Sequence, residues 1–96
     1  MLFVVTGNDR PGALEDRLAA RPDHLAHWKS LGGELKLAGP FLDANGKPCG
    51  SLIIFDAPDQ ESANRLAETD PYAVRGVFSD KTVRPWNWAI NPPEKV

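Results

Sequence analysis

The sequence has one cysteine, Cys49, and one tyrosine, Tyr72. A lone cysteine excludes a disulfide within the chain. No stretch approaches the roughly 20 consecutive apolar residues that a membrane-spanning helix needs, so no membrane association is expected. Basic residues are few and scattered, 11 Lys and Arg against 13 Asp and Glu, for a formal charge of −2. Affinity for nucleic acid comes mostly from neutralising phosphates with clustered Lys and Arg, so nucleic acid is not an expected partner. No glycine-rich phosphate loop follows the first apolar segment, which argues against a nucleotide; no cofactor is expected. Met1-Leu2-Phe3-Val4-Val5 is apolar but short, with no basic flank and no small-residue cleavage site. It reads as a strand and not a signal peptide, and with the single cysteine it points to a cytoplasmic setting.

What is present suffices for one domain, expected over residues 1–90, with a loose Pro-rich tail at 91–96. A domain of this size buries roughly 60–70% of its unfolded surface, so a second copy would add useful burial. Met1 to Thr6 is β-rich. Gly7 to Gly12 is a turn cluster. A helix is expected from about 11 to 31, kinked or split at Pro22. Its apolar stripe would be Leu14, Leu18, Leu25 and Trp28, and Gly32-Gly33 would end it. Glu34 to Leu42 alternates as a strand, with Leu35, Leu37 and Phe41 on one side. Asp43 to Pro48 is a hairpin turn in which Asn45-Gly46 accept positive φ. Gly50 to Phe55 is the next strand. Pro58 opens a second helix to about Glu68, with Ala63, Leu66 and Ala67 inward. A short segment from Pro71 to Arg75 precedes a last strand from Val77 to Trp88.

The order β-α-β-β-α-β is that of the ferredoxin-like α+β fold, four antiparallel strands carrying both helices on one face. Either Ile53 and Phe55 or Leu52 and Ile54 must then point at the other face. A second copy of the chain is the simplest cover.

His24 and Asp70, 46 positions apart, are the strongest candidates for acid–base chemistry. An imidazole oriented by a carboxylate works as a general base near neutral pH. The bland alternatives are a half-exposed or capping histidine and an Asp that caps the turn after Pro71. Arg17 and Arg21 lie one turn apart and have the chemistry to hold a carboxylate or enolate. Arg17 is read as part of a solvated face, bridging Glu15, Asp16 or Asp23, while Arg21 stays open. Ser51 can donate a hydrogen bond to a ligand, but no nucleophile motif surrounds it. Tyr72 either turns its hydroxyl into a pocket or packs. Gly39-Pro40 reads as a strand end. His24 and His27, three apart, lack an identifiable third ligand, so no metal is expected. Cys49 reads as a buried free thiol. Trp28, Trp86 and Trp88 suit a core, a dimer interface or an aromatic-lined pocket.

The runs Arg17-Leu18-Ala19-Ala20-Arg21-Pro22-Asp23-His24-Leu25, Ala38-Gly39-Pro40, Gly50-Ser51, Asp70-Pro71-Tyr72, Gly76-Val77 and Val83-Arg84-Pro85 together resemble the YciI-like, or YCII-related domain, family. The resemblance implies a ferredoxin-like fold that pairs into a dimeric α+β barrel. It also implies a pocket with a His-Asp pair, which maps to His24 and Asp70. One branch of that family is similar to enzymes that eliminate chloride from chlorinated hydroxyquinols. His27 and the ending Trp86-Asn87-Trp88 do not map onto the family pattern.

The leading expectation is a homodimeric, cofactor-independent enzyme that performs elimination or isomerisation on a small cyclic or aromatic molecule. His24 would be the base or acid, Asp70 would orient it, and Arg21, Ser51 and Tyr72 would hold the substrate. The alternative is a non-catalytic dimeric module that binds a small molecule in the same pocket. Haem held by His24 is a third reading, by fold analogy alone.

Overall fold

The computed structural model describes residues 1–94. In chain order the elements are β1 (Leu2–Asp9), α1 (Leu14–Lys29), a 3-10 turn (Gly32–Glu34), β2 (Leu35–Leu42), β3 (Pro48–Asp56), α2 (Gln60–Glu68), α3 (Pro71–Val74) and β4 (Phe78–Pro85). The strands form one sheet in the order β2-β3-β1-β4, with every neighbouring pair antiparallel. This is the ferredoxin-like α+β arrangement. No helix among the described residues is long and apolar enough to cross a membrane.

The element boundaries have local causes. Gly12 takes a φ of +76°, outside the helical region, so α1 begins at Leu14 and not at Pro11. The helix runs on through Pro22. Leu18, whose carbonyl loses its partner there, lies on the exposed side. Asp59 caps α2, its carboxylate accepting the Ser62 N–H at 2.8 Å. That bond pulls the Asp59 carboxyl below its usual range. In the β2–β3 turn the Asp43 carboxylate accepts from the backbone of Asn45 and Lys47. Gly46 alone supplies the positive φ, at +77°, so Asn45 does not share that role. β4 stops at Pro85, although the Trp86 N–H still reaches the Leu2 carbonyl at 2.9 Å. The tail expected over 91–96 includes residues 95 and 96, which lie outside the described residues.

Two expectations about facing are corrected. The buried side of α1 is Arg17, Ala20, His24 and Trp28, whereas Leu18 is 54% exposed and Leu14 and Leu25 are half-buried. The helix is turned because Asp9, Ser51 and Asp70 give the inward polar groups hydrogen-bond partners; satisfied polar side chains tolerate burial. In β2 the register slips between Leu35 and Leu37, so that Leu35 lies opposite Phe55 but Leu37 opposite Ile54. The extra residue, Lys36, flips the side-chain alternation. Leu35 therefore packs against the helix-side core, and Leu37 and Phe41 share the other face.

Phe3 and Val5 pair with Phe55 and Ile53 across β1 and β3. All four point toward the helices and meet Trp28, Ala57, Ala63 and Ala67 in the main core. Leu66 packs at its margin, half-buried. A second cluster joins Ala13 and Ala20 to Tyr72 and Val77, with Phe78 against it. The opposite face carries Val4, Leu52 and Ile54, with Leu37 at 39% and Phe41 at 40% exposure.

Candidate functional site

The chain turns sharply where α2 gives way to α3. Asp70 sits at that turn, 1% exposed, with Pro71 in the first helical position. Its side chain caps α3 by accepting the Tyr72 N–H on Oδ1 at 2.9 Å. The same Oδ1 lies 2.8 Å from His24 Nδ1. Oδ2 accepts the indole Nε1–H of Trp28 at 2.9 Å. Three donors thus converge on one buried carboxylate. Capping, which alone would explain an Asp before Pro71, accounts for only one of them.

His24 comes to this turn because α1 packs along α3. A carboxylate accepts only, so Nδ1 donates and the neutral ring carries its lone pair on Nε2. The imidazole is buried and stacks on the Tyr72 ring, with centroids 3.8 Å apart and 14° between planes. The Phe78 ring meets Tyr72 edge-on at 5.7 Å. Phe78 in turn covers Gly7, where a Cβ would come within 2.8 Å of its ring.

Arg17 is not on a solvated face. It is 4% exposed. Its Nη1 donates to Asp9 Oδ1 and Oδ2 at 2.9 and 3.1 Å. Its Nη2 donates to Ser51 Oγ at 2.7 Å, and its Cζ lies over the Tyr72 ring at 4.5 Å. The expected partners Glu15, Asp16 and Asp23 are exposed instead, where Asp16 pairs with Arg10 and Asp23 with Arg75. A buried guanidinium needs a carboxylate, and the end of β1 supplies it.

Between α1 and the β2–β3 half of the sheet lies a cavity of about 160 Å³. His24, Arg17 and Arg21 line it from α1, Ser51 from β3, Tyr72 from α3, and Gly39-Pro40 from β2. Leu18, Leu25 and Ile53 supply apolar wall. Every sequence-derived site residue except Asp70 reaches this wall, and Asp70 stands behind His24. Arg21 is exposed and has no ion pair among the described residues. Burial pushes the Tyr72 phenol above its usual 10.0, although the charge of Arg17 pulls it part of the way back. Tyr72 is therefore a protonated donor at neutral pH.

Other candidates lie elsewhere. His27 faces α2 and donates from Nε2 to the Leu66 carbonyl at 2.8 Å, so it does not share a partner with His24. Cys49 is half-buried and not fully enclosed. Trp86 and Trp88 pack on each other with centroids 5.6 Å apart. Asp9 and the indole of Trp28 were not anticipated as site residues. Asp9 sits in a turn cluster rich in polar residues, and nothing local marks it as the partner of a buried arginine.

A ferredoxin-like sheet with a carboxylate–imidazole pair set behind a small cavity defines the structural class. The chain belongs to the YCII-related domain family, whose sequence profile matches residues 1–87. Protein YciI of Escherichia coli O6:H1 is 36% identical over 94 residues, which cover 90% of this chain and 96% of that protein. The solved structure of the 5-chloro-2-hydroxyhydroquinone dehydrochlorinase TftG from Burkholderia phenoliruptrix, in complex with 2,5-dihydroxybenzoquinone, superposes with a TM-score of 0.85. It is 30% identical, covering 91% of this chain and 94% of that one. An antibiotic biosynthesis monooxygenase, 19% identical with a TM-score of 0.54, shares the fold.

Proposed function

We propose that the protein is a cofactor-independent enzyme that moves a proton on a small, oxygenated cyclic substrate, in a dehydrochlorinase-like elimination. The observation that carries this reading is the 2.8 Å contact of His24 Nδ1 with Asp70, on a ring that lines the cavity. His24 Nε2 takes the proton. Asp70 holds the tautomer and stabilises the imidazolium without itself taking the proton. In an elimination of hydrogen chloride from the diketo tautomer of a chlorinated hydroxyquinol, the pair of the C–H bond beside the carbonyl becomes the new double bond, the C–Cl pair departs with chloride, and the proton sits on Nε2 until water removes it. No oxidant is consumed. Ser51, Tyr72 and Arg21 hold the oxygens of the substrate, Tyr72 as a donor because its phenol stays protonated. The likeness to TftG supports this reaction class.

A homodimer in the cytoplasm belongs to the same proposal. On the sheet face away from the helices Ile54 is buried and Val4 and Leu52 are half-buried, but Leu37 and Phe41 stay exposed, and a second sheet would fit over that end.

The test is chloride release from 5-chloro-2-hydroxyhydroquinone. Wild type is expected to release chloride, with His24→Ala slower by roughly 100-fold or more. Equal rates in both proteins would overturn the assignment of His24. Binding of 2,5-dihydroxybenzoquinone with no turnover would turn the site into a binding module.

A further inference from the structure

The cavity has a second polar wall besides His24. Ser51 Oγ accepts a hydrogen bond from Arg17 Nη2 at 2.7 Å. A guanidinium has no acceptor, so the serine oxygen is fixed as the receiving atom and its own hydrogen is left for another group. Ser51 lines the cavity beside Tyr72 and Arg21. Arg17 itself is held from behind by both oxygens of Asp9, and the side chains of this pair are 5% and 6% exposed. Buried ion pairs of this kind are often no more stabilising than well-packed apolar residues of the same volume. Stability alone therefore does not account for it.

We propose that Arg17 is a positioning residue. Anchored by Asp9, it aims the Ser51 hydroxyl as a donor into the cavity, and the site takes a single six-membered ring bearing an ionised oxygen, a phenolate or enolate. The proposal rests on the cavity being a small-molecule site, as above, but does not require turnover. Size agrees: about 160 Å³ is close to the roughly 150 Å³ that holds a benzene ring. Charge agrees as well. The positive charge of Arg17 is matched by Asp9, whereas Arg21 reaches the cavity without a carboxylate. The donors of Ser51 and Tyr72 have no negative group on that wall to satisfy. An oxyanion completes both.

The probe is 4-nitrophenol, whose absorbance distinguishes phenol from phenolate. Wild type is expected to bind the phenolate in preference, so that the bound probe ionises at lower pH than in water. Ser51→Ala and Arg17→Met are each expected to weaken phenolate binding about tenfold, the scale of one hydrogen bond to a charged group. The double variant should be no weaker than Ser51→Ala, because Arg17 acts through Ser51. Arg17→Lys keeps the charge but not the planar fork, and should behave as Arg17→Met does.

Three results would overturn the proposal: losses that multiply in the double variant, full recovery with lysine, or equal binding of phenol and phenolate. Absence of binding to the folded wild type would do the same. Should the Arg17 variants fail to fold, Ser51→Ala alone decides, since it removes only one hydroxyl; an unchanged phenolate preference there sinks the proposal. Failure of the acid–base reading shows instead as absent chloride release while Ser51-dependent binding persists.

Discussion

Trp28 donates its indole N–H to Asp70 Oδ2 at 2.9 Å, on the oxygen that His24 leaves free. The main core and the site are thereby the same construction. Trp28 packs on Phe55, with ring centroids 5.0 Å apart, and from there holds the carboxylate that orients the imidazole. Trp28→Phe keeps the aromatic packing but strips one donor from a carboxylate that is 1% exposed. It is expected to destabilise the fold by about 1–3 kcal/mol, the cost of leaving a buried acceptor unpaired. Urea unfolding measures this, and an unchanged midpoint would show that Oδ2 finds another partner.

Tyr72 is the single tyrosine, so its phenol can be titrated alone by near-ultraviolet absorbance. Its ionisation is expected above the usual 10.0, chiefly because burial disfavours the phenolate. The sign for stability follows. The folded state keeps the proton longer than the unfolded chain, so this contribution is whole below pH 10.0 and is lost as pH rises through the folded value. A midpoint at or below 10.0 would mean that the charge of Arg17 outweighs the burial.

Gly7 has no room for a side chain, because the Phe78 ring lies over it. Gly7→Ala pushes Phe78 toward Tyr72 and is expected to cost about 1–3 kcal/mol, as overpacking does. Chemical-shift changes should extend from β1 to Tyr72 and His24. Wild-type stability with unmoved Tyr72 signals would show that the ring swings aside freely.

Leu37 and Phe41 are 39% and 40% exposed on the sheet face away from the helices. If a second copy covers that face, Leu37→Asp combined with Phe41→Asp places two charges in the interface and gives a folded monomer. Sedimentation equilibrium should give twice the chain mass for wild type and the chain mass for the double variant. A wild type at the chain mass would remove the dimer from the proposal.

The order of elements was legible because strong local signals agree. β-rich apolar runs marked β1 and β3, alternation marked β2, Asn45-Gly46 the hairpin, and Gly32-Gly33 the end of α1. The rotation of α1 was not legible. It depends on Arg17 finding Asp9 and Ser51, 8 and 34 residues away, and an arginine on a helix otherwise reads as surface. The facing of Leu35 depended on one inserted residue at Lys36, which strand alternation cannot reveal. His24 and Asp70 were singled out from residue chemistry and from the family resemblance, but their contact arises only from the packing of α1 against α3. The third donor, Trp28, was hidden because tryptophan in an apolar stripe first suggests core, and here it is both core and ligand to the carboxylate.

The most direct measurement is the tautomer of each histidine from ring 15N chemical shifts of the neutral protein. The account predicts His24 protonated on Nδ1 with a bare Nε2, and His27 in the opposite form because its Nε2–H meets the Leu66 carbonyl. Two histidines showing opposite tautomers in one spectrum would establish that Asp70 sets the base. A His24 protonated on Nε2 would contradict it, since that ring would have no lone pair with which to take a proton from the cavity.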